Sequence, residues 1–138
     1  MNTYFTDGSC SPNPGPGGYA VIQNSEPVRL GHDAESTNIR EEGKALIAAL
    51  EHAGGEPCEI FTDSEFWIKV ITEWSLNWEA NGWQKKGGIK NLDIVQEVCP
   101  LYRKSQAKLT WVRAHVGNDG NELADYWANE ARIKKLTK

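Results

Sequence analysis

Two short segments of the chain end alike. Tyr4-Phe5-Thr6 runs into Asp7 and Ile60-Phe61-Thr62 runs into Asp63, each a strand-like run closed by Thr-Asp. If the two runs are parallel neighbours in a sheet, their ends lie about 4.8 Å apart. Open α/β sheets hold ligands at such strand ends. Carboxylates that close repel unless a proton or a cation separates them. Either residue alone serves equally well as a turn or capping aspartate; the matched pair points to a cation. Hard oxygen donors without a His/Cys set favour magnesium or manganese over zinc.

Further acids and a histidine join this set. From Asn38 the apolar period becomes helical, with Ile39, Gly43, Leu46, Ile47 and Leu50 on one stripe and Gly54-Gly55 as the stop. At about 100° per residue, Glu41 falls roughly 175° from the stripe centre and is expected in water, where it completes a capping box with Asn38. Glu42 falls roughly 85° away, at the boundary, and is the candidate site residue. Asp125 lies off the stripe of Leu123, Ala124, Trp127 and Ala128 on the last helix, a placement equally suited to a solvated face. His115 stands in a Gly-containing stretch, Ala114 to Gly120, between strand and helix. His52 near a helix C-terminus suits the helix dipole, and His32 reads as a strand residue.

The elements that must position these groups follow from the pattern. Strands are expected at about Asn2–Thr6, Tyr19–Gln23 and Val28–His32, with a Gly/Pro-rich loop Asp7–Gly18 and a turn Asn24–Pro27 between them. A helix from Asn38, a strand Cys58–Thr62 and a helix capped by Ser64 come next. Trp67, Ile71 and Trp74 share a face of that helix, which suggests that Trp74 is mostly core. Ser75–Lys90 reads as a short helix and a basic loop. Asn91 is expected to cap a helix that Pro100 kinks or ends early. A strand Lys108–Arg113 and a helix Asp119–Lys134 complete the order. Early hairpins and late strand–helix alternation predict an α/β fold with a mixed five-stranded sheet, three antiparallel and two parallel strands, flanked by helices.

The 138 residues, 39 % hydrophobic and 25 % charged, suit a single domain spanning residues 1–138 and exclude a disordered chain. No apolar run reaches the roughly 18–20 residues of a membrane span. Met1-Asn2-Thr3-Tyr4-Phe5 does not resemble a secretion signal, so a cytoplasmic protein is expected. Cys10, Cys58 and Cys99 are scattered and read as free thiols. Charge is uneven: residues 1–65 carry eleven acidic and three basic side chains, while residues 66–138 carry eight acidic and twelve basic. A basic half suits phosphate and an acidic half suits cations, though both also suit plain solvation.

The motifs resemble, in order and over nearly the whole chain, the type 1 ribonuclease H (ribonuclease HI) family. They are Tyr4-Phe5-Thr6-Asp7-Gly8-Ser9-Cys10, Asn13-Pro14-Gly15-Pro16-Gly17-Gly18-Tyr19, Thr37-Asn38-Ile39-Arg40-Glu41-Glu42, Thr62-Asp63-Ser64 and Asn77-Trp78 with Asn81-Gly82-Trp83. Lys90-Asn91-Leu92-Asp93, Trp111 to Gly117, and Asn121-Glu122 followed by Asp125 continue the series. The resemblance implies a ribonuclease H-like fold and an endonuclease that cuts the RNA strand of RNA–DNA hybrids, leaving 5′-phosphate and 3′-hydroxyl ends. It implies catalytic, metal-holding carboxylates at Asp7, Glu42, Asp63 and Asp125, and a mobile catalytic histidine at His115. Two Mg2+ ions, with Mn2+ as a substitute, would clamp the attacking and leaving oxygens of the phosphodiester.

Substrate contacts are implied for Cys10, Asn13 and Asn38 at the minor groove, where RNA displays its 2′-hydroxyls. Thr37 and Asn91 are implied at a DNA phosphate, and Trp74 and Trp78 beside Lys85, Lys86 and Lys90 at a substrate-handling protrusion. Ile39, Glu65 and Glu79-Ala80-Asn81 depart from the polar or basic residues of many relatives. They predict weaker hybrid binding with a shallow salt dependence. No membrane and no obligate protein partner is implied, and a monomer is the default. Two other readings are a nuclease for another substrate, such as a DNA junction, and a hybrid-binding module without catalysis.

Overall fold

β1 (Asn2–Cys10) runs through the middle of the sheet, and the functional elements are placed by what pairs with it and packs on it. The coordinates are those of a computed structural model, which describes residues 2–113 and 119–138. Strand order is β3-β2-β1-β4-β5, with β2 (Gly15–Gln23), β3 (Glu26–Ser36), β4 (Cys58–Thr62) and β5 (Ala107–Trp111). β1, β2 and β3 are antiparallel; β1–β4 and β4–β5 are parallel. The mixed five-stranded α/β architecture is the one the sequence predicts.

Strand lengths differ from expectation. β1 does not end at Thr6 but continues to Cys10, where it still pairs with Gly17 of β2. The Gly/Pro-rich segment was expected to be a loop, yet Gly15, Gly17 and Gly18 are strand residues with close neighbours. A Cβ on Gly17 would stand 2.7 Å from Glu41 Cγ, and one on Gly18 would stand 2.5 Å from Arg132 N. Gly17 and Gly18 let helices approach rather than let the chain turn, and Gly15 makes room for Pro12. The turn is confined to Asn24 and Ser25, both at positive φ, as a tight two-residue hairpin requires. β3 accordingly reaches from Glu26 to Ser36, and β5 is shifted to Ala107–Trp111.

Helices cover both faces. α1 (Asn38–Ala53), α2 (Glu65–Lys69) and α4 (Leu92–Lys104) enclose a core with Tyr4, Val21, Leu46, Ile60, Trp67, Val95 and Val98. α5 (Asp119–Lys134) lays Ala124, Ala128 and Ala131 on Ala20, Ile22 and Leu30. α2 continues through a π-turn, Val70–Trp74, into α3 (Ser75–Ala80). The wider π-turn breaks the helical phase. Trp74 therefore leaves the face of Trp67 and is 40 % exposed rather than core.

α4 runs past Pro100 to Lys104, so the proline does not end it early. Asn91 precedes α4 in the left-handed region (φ 59°) and makes no side-chain capping bond. Among the described residues no helix is long and apolar enough to cross a membrane.

Candidate active site

The site forms where the β1–β4 ladder stops. Its last register pair is Phe5↔Phe61; β1 runs on beside β2 alone, and Asp7 pairs with Ala20. β4 ends at Thr62, so Asp63 leaves the sheet next to the continuing β1. Thr62 Oγ1 accepts from Ser64 N at 3.1 Å, and Ser64 caps α2 by accepting from Trp67 N. Asp63 is fixed from the other side too, because its carbonyl accepts from Trp111 Nε1 at 3.2 Å.

α1 delivers the third carboxylate. Gly8 faces this helix, and a Cβ there would lie 2.4 Å from Glu42 N. The missing side chain lets the first turn of α1 settle against β1. One carboxylate oxygen from each of Asp7, Glu42 and Asp63 then lies within 4.8 Å of the others. Asp125 of α5 is not a member of this triad, but its charge acts on Asp7.

The electrostatics are those of carboxylates crowded together. The Asp7 carboxyl is pushed up to about 9, first by burial, then by Asp63 and Asp125, while the Gly8 N–H at 2.9 Å pulls the other way. Glu42 is pushed up to about 7 by burial, with the Ser64 hydrogen bond opposing and Asp63 adding to it. Each shift says that the ionised triad needs an added positive charge. Oxygen donors of this kind and number, with no imidazole or thiolate among them, fit a hard divalent cation.

Glu41 corrects the helical-wheel expectation. It is fully buried rather than in water, and Oε2 accepts from Ser36 Oγ at 2.7 Å. A single buried stripe does not describe α1, which is covered on several sides; Ala45, Leu46, Ile47, Ala48, Ala49 and Leu50 are all buried. The capping box with Asn38 does not form either. Thr37 is the N-cap, its Oγ1 accepting from Arg40 N. Burial and hydrogen bonding with Asp33 push Glu41 up to about 7, while Asp33 itself is lowered despite its own burial.

The other described site residues are placed by their own hydrogen bonds. Asn13 Oδ1 accepts from Asn38 N at 3.2 Å, placing both at the mouth between the β1–β2 loop and α1. The Cys10 thiol is turned inward toward the carbonyls of Pro12, Gly15 and Ser36. Arg40 reaches from α1 to Asp93 with two hydrogen bonds, 2.7 and 3.1 Å, and to Asn91 Oδ1 at 3.2 Å. Thr37 and Asn91 are thereby brought to one corner. This fork and the Trp111–Asp63 bond escaped the sequence, since no local spacing links residues so far apart in the chain.

Trp74 and Trp78 line a groove of about 410 Å3 with Phe66, Lys85, Lys86 and Lys90. Lys85 Nζ stands 5.9 Å over the Trp78 ring. Glu79, expected to weaken this region, is ion-paired with Arg103. His115 lies outside the described residues.

A mixed sheet with carboxylates converging where a central strand outruns its parallel neighbour defines the ribonuclease H-like class of α/β domains. The chain belongs to the RNase H family, whose model matches residues 1–133. A ribonuclease H of Methylorubrum extorquens is 39 % identical over 138 residues, covering 96 % of this chain and 60 % of its own length. A ribonuclease H of Pseudomonas savastanoi pv. phaseolicola is 42 % identical over 132 residues, covering 91 % of this chain and 88 % of its own. Among solved structures, LC9-RNase H1, described as a type 1 RNase H with the type 2 active-site motif, superposes with a TM-score of 0.87 at 25 % identity. That match covers 99 % of this chain and 74 % of the other.

Proposed function

We propose that this chain is a metal-dependent endoribonuclease that hydrolyses the RNA strand of RNA–DNA hybrids. The observation that carries the reading is the convergence of Asp7, Glu42 and Asp63 within 4.8 Å. Three buried or half-buried acids would be a liability beside a polyanion unless a cation joined them. Family membership supports the substrate class.

Asp7, Glu42 and Asp63, with Asp125 beside them, would hold Mg2+, two ions on the family pattern, or Mn2+ in its place. When bound, such ions polarise the scissile phosphate and lower the pKa of water. The chain's own groups do the rest. The Gly8 N–H and the Trp111 bond to the Asp63 carbonyl keep two carboxylates in place before substrate arrives. Asn13, Asn38 and the backbone beside Cys10, whose thiol is turned inward, would face the minor groove and its 2′-hydroxyls. Thr37 and Asn91 would hold a DNA phosphate, and the Trp74–Trp78 groove would carry the DNA strand further. Water attacks phosphorus, the bond from phosphorus to the 3′-oxygen breaks, and the products are a 5′-phosphate and a 3′-hydroxyl. His115 would carry a proton during this exchange or release the product. A monomeric, cytoplasmic protein acting as one domain is part of the same reading.

The test is a panel of hybrid, all-RNA and all-DNA duplexes and a DNA junction under magnesium. Cutting confined to the RNA strand of the hybrid is expected. Cutting of the junction alone supports a nuclease for another substrate. Hybrid binding without products, unchanged by magnesium, supports a binding module and overturns the reading.

A further inference from the structure

We propose that Glu41, which takes no part in the carboxylate triad, is a positioning residue for RNA-strand recognition, holding the β1–β2 loop and the start of α1 at a fixed spacing. The inference rests on the proposed hybrid substrate and adds a residue to its recognition. Glu41 is fully buried; among the described residues no donor reaches its Oε1, and the charged groups beside the carboxyl are Asp33 and Lys44, whose Nζ lies 4.0 Å from Oε2. A carboxyl in such a place costs stability where an apolar side chain of the same volume would not. The fold is nevertheless built around it. Gly17 has no side chain where Glu41 Cγ and Cδ lie, at 2.7 and 2.9 Å from a Cβ placed there.

What the carboxyl does is visible in its contacts. Oε2 accepts from Ser36 Oγ at 2.7 Å, and the carbonyl of the same Ser36 lies 3.3 Å from Cys10 Sγ. That thiol also faces the Pro12 and Gly15 carbonyls, at 3.2 and 3.3 Å, so it gathers both sides of the loop carrying Asn13. Ser36 leads directly into Thr37 and Asn38. Two bridges therefore join the loop to α1: a buried one, Glu41–Ser36–Cys10, and an exposed one, Asn13 Oδ1 to Asn38 N at 3.2 Å. The exposed bond occupies Asn13 Oδ1 and the Asn38 N–H, groups for which a bound RNA strand would compete. The buried bridge uses neither Asn13 nor Asn38, and it keeps the two segments apart by the same distance while the exposed one exchanges partners.

Steady-state cleavage of a hybrid by the full chain, at saturating magnesium, separates this role from others. Glu41→Gln retains an oxygen for Ser36 and is expected within about two-fold of wild-type KM. Glu41→Leu fills the space without an acceptor and should raise KM about five- to ten-fold with kcat within two-fold. Ser36→Ala, which removes the donor, should raise KM alike and decides the matter should Glu41→Leu not fold. An unchanged KM in the folded Glu41→Leu or Ser36→Ala protein overturns the role. So does a fall in kcat at constant KM, which would place the effect at the triad, or an equal KM rise in Glu41→Gln. A wild-type chain that neither cuts nor binds hybrid removes the proposed function itself, and this inference with it.

Discussion

Glu41 and Glu42 are consecutive on α1 yet serve separate places: Glu42 meets Asp7 and Asp63, while Glu41 is sealed against Ser36 and Gly17. One turn of helix thus contributes a carboxylate to the open cluster and a second to the scaffold behind it. Removing either must have different consequences, and the triad's are the simpler to state.

Asp7→Asn keeps the shape of the side chain and removes its charge. Cleavage should fall by at least about 10²–10³-fold, the range for losing one preorganised electrostatic contact at a reacting centre. The metal-free thermal midpoint should stay the same or rise, because Asp63 and Asp125 then repel nothing at this position. Parallel rate and melting measurements check both; near-wild-type turnover rejects the assignment.

The raised carboxyls also set the pH dependence of the metal-free protein. Asp7 is held at about 9 against 3.8, and Glu41 and Glu42 at about 7 against 4.5. The unfolded chain loses these protons near its lower values while the folded chain keeps them. Between the two values the native state binds more protons, so stability falls as pH rises. The penalty is absent below the unfolded values and complete above the folded ones. Asp33 and Asp93 are lowered and so act only at the acid end. In chelator, the thermal midpoint should drop from mildly acid to alkaline pH, and magnesium should flatten the slope. A midpoint that climbs steadily contradicts this.

Gly8→Ala tests the approach of α1 to β1. The new methyl would meet backbone, Glu42 N at 2.4 Å, which cannot swing aside as a flexible side chain could. Overpacking of this kind costs about 1–3 kcal/mol, and displacement of Glu42 should reduce cleavage well beyond that loss of folded protein. Chemical denaturation with activity measured on the folded fraction would show it; an unchanged protein on both counts would mean that α1 does not need this contact.

Hybrid binding should depend only shallowly on salt. Lys85, Lys86 and Lys90 are the cations lining the tryptophan groove, and three phosphate contacts imply a log–log slope of about −3. Titration of binding against salt in the absence of turnover measures it, and a slope of about −6 or steeper would require a much larger basic footprint.

Much of this was legible in the sequence for physical reasons. Asp63 follows a five-residue strand, Cys58–Thr62, that forms as expected, and α5 spans the expected Asp119–Lys134. Both have a single periodicity and clear ends. Where a segment answers to two neighbours, the pattern misleads. Gly15, Gly17 and Gly18 look like a loop because their small size serves close neighbours, Pro12 for Gly15 and the helices on β2 for Gly17 and Gly18. Glu41 looks exposed because a wheel assumes one buried face, and α1 has several. Trp74 looks buried because a π-turn cannot be read from spacing. Asn91 looks like a cap, but its side chain answers to Arg40.

The triad's central role is to be a place for a divalent cation. Manganese binding to the wild-type chain and to Asp7→Asn, followed through the resonance of free Mn2+ at neutral pH, tests that directly. The wild-type protein should take up manganese, magnesium should displace it, and the variant should bind far more weakly. Equal uptake by the two proteins, or none by either, would contradict the assignment of Asp7, Glu42 and Asp63.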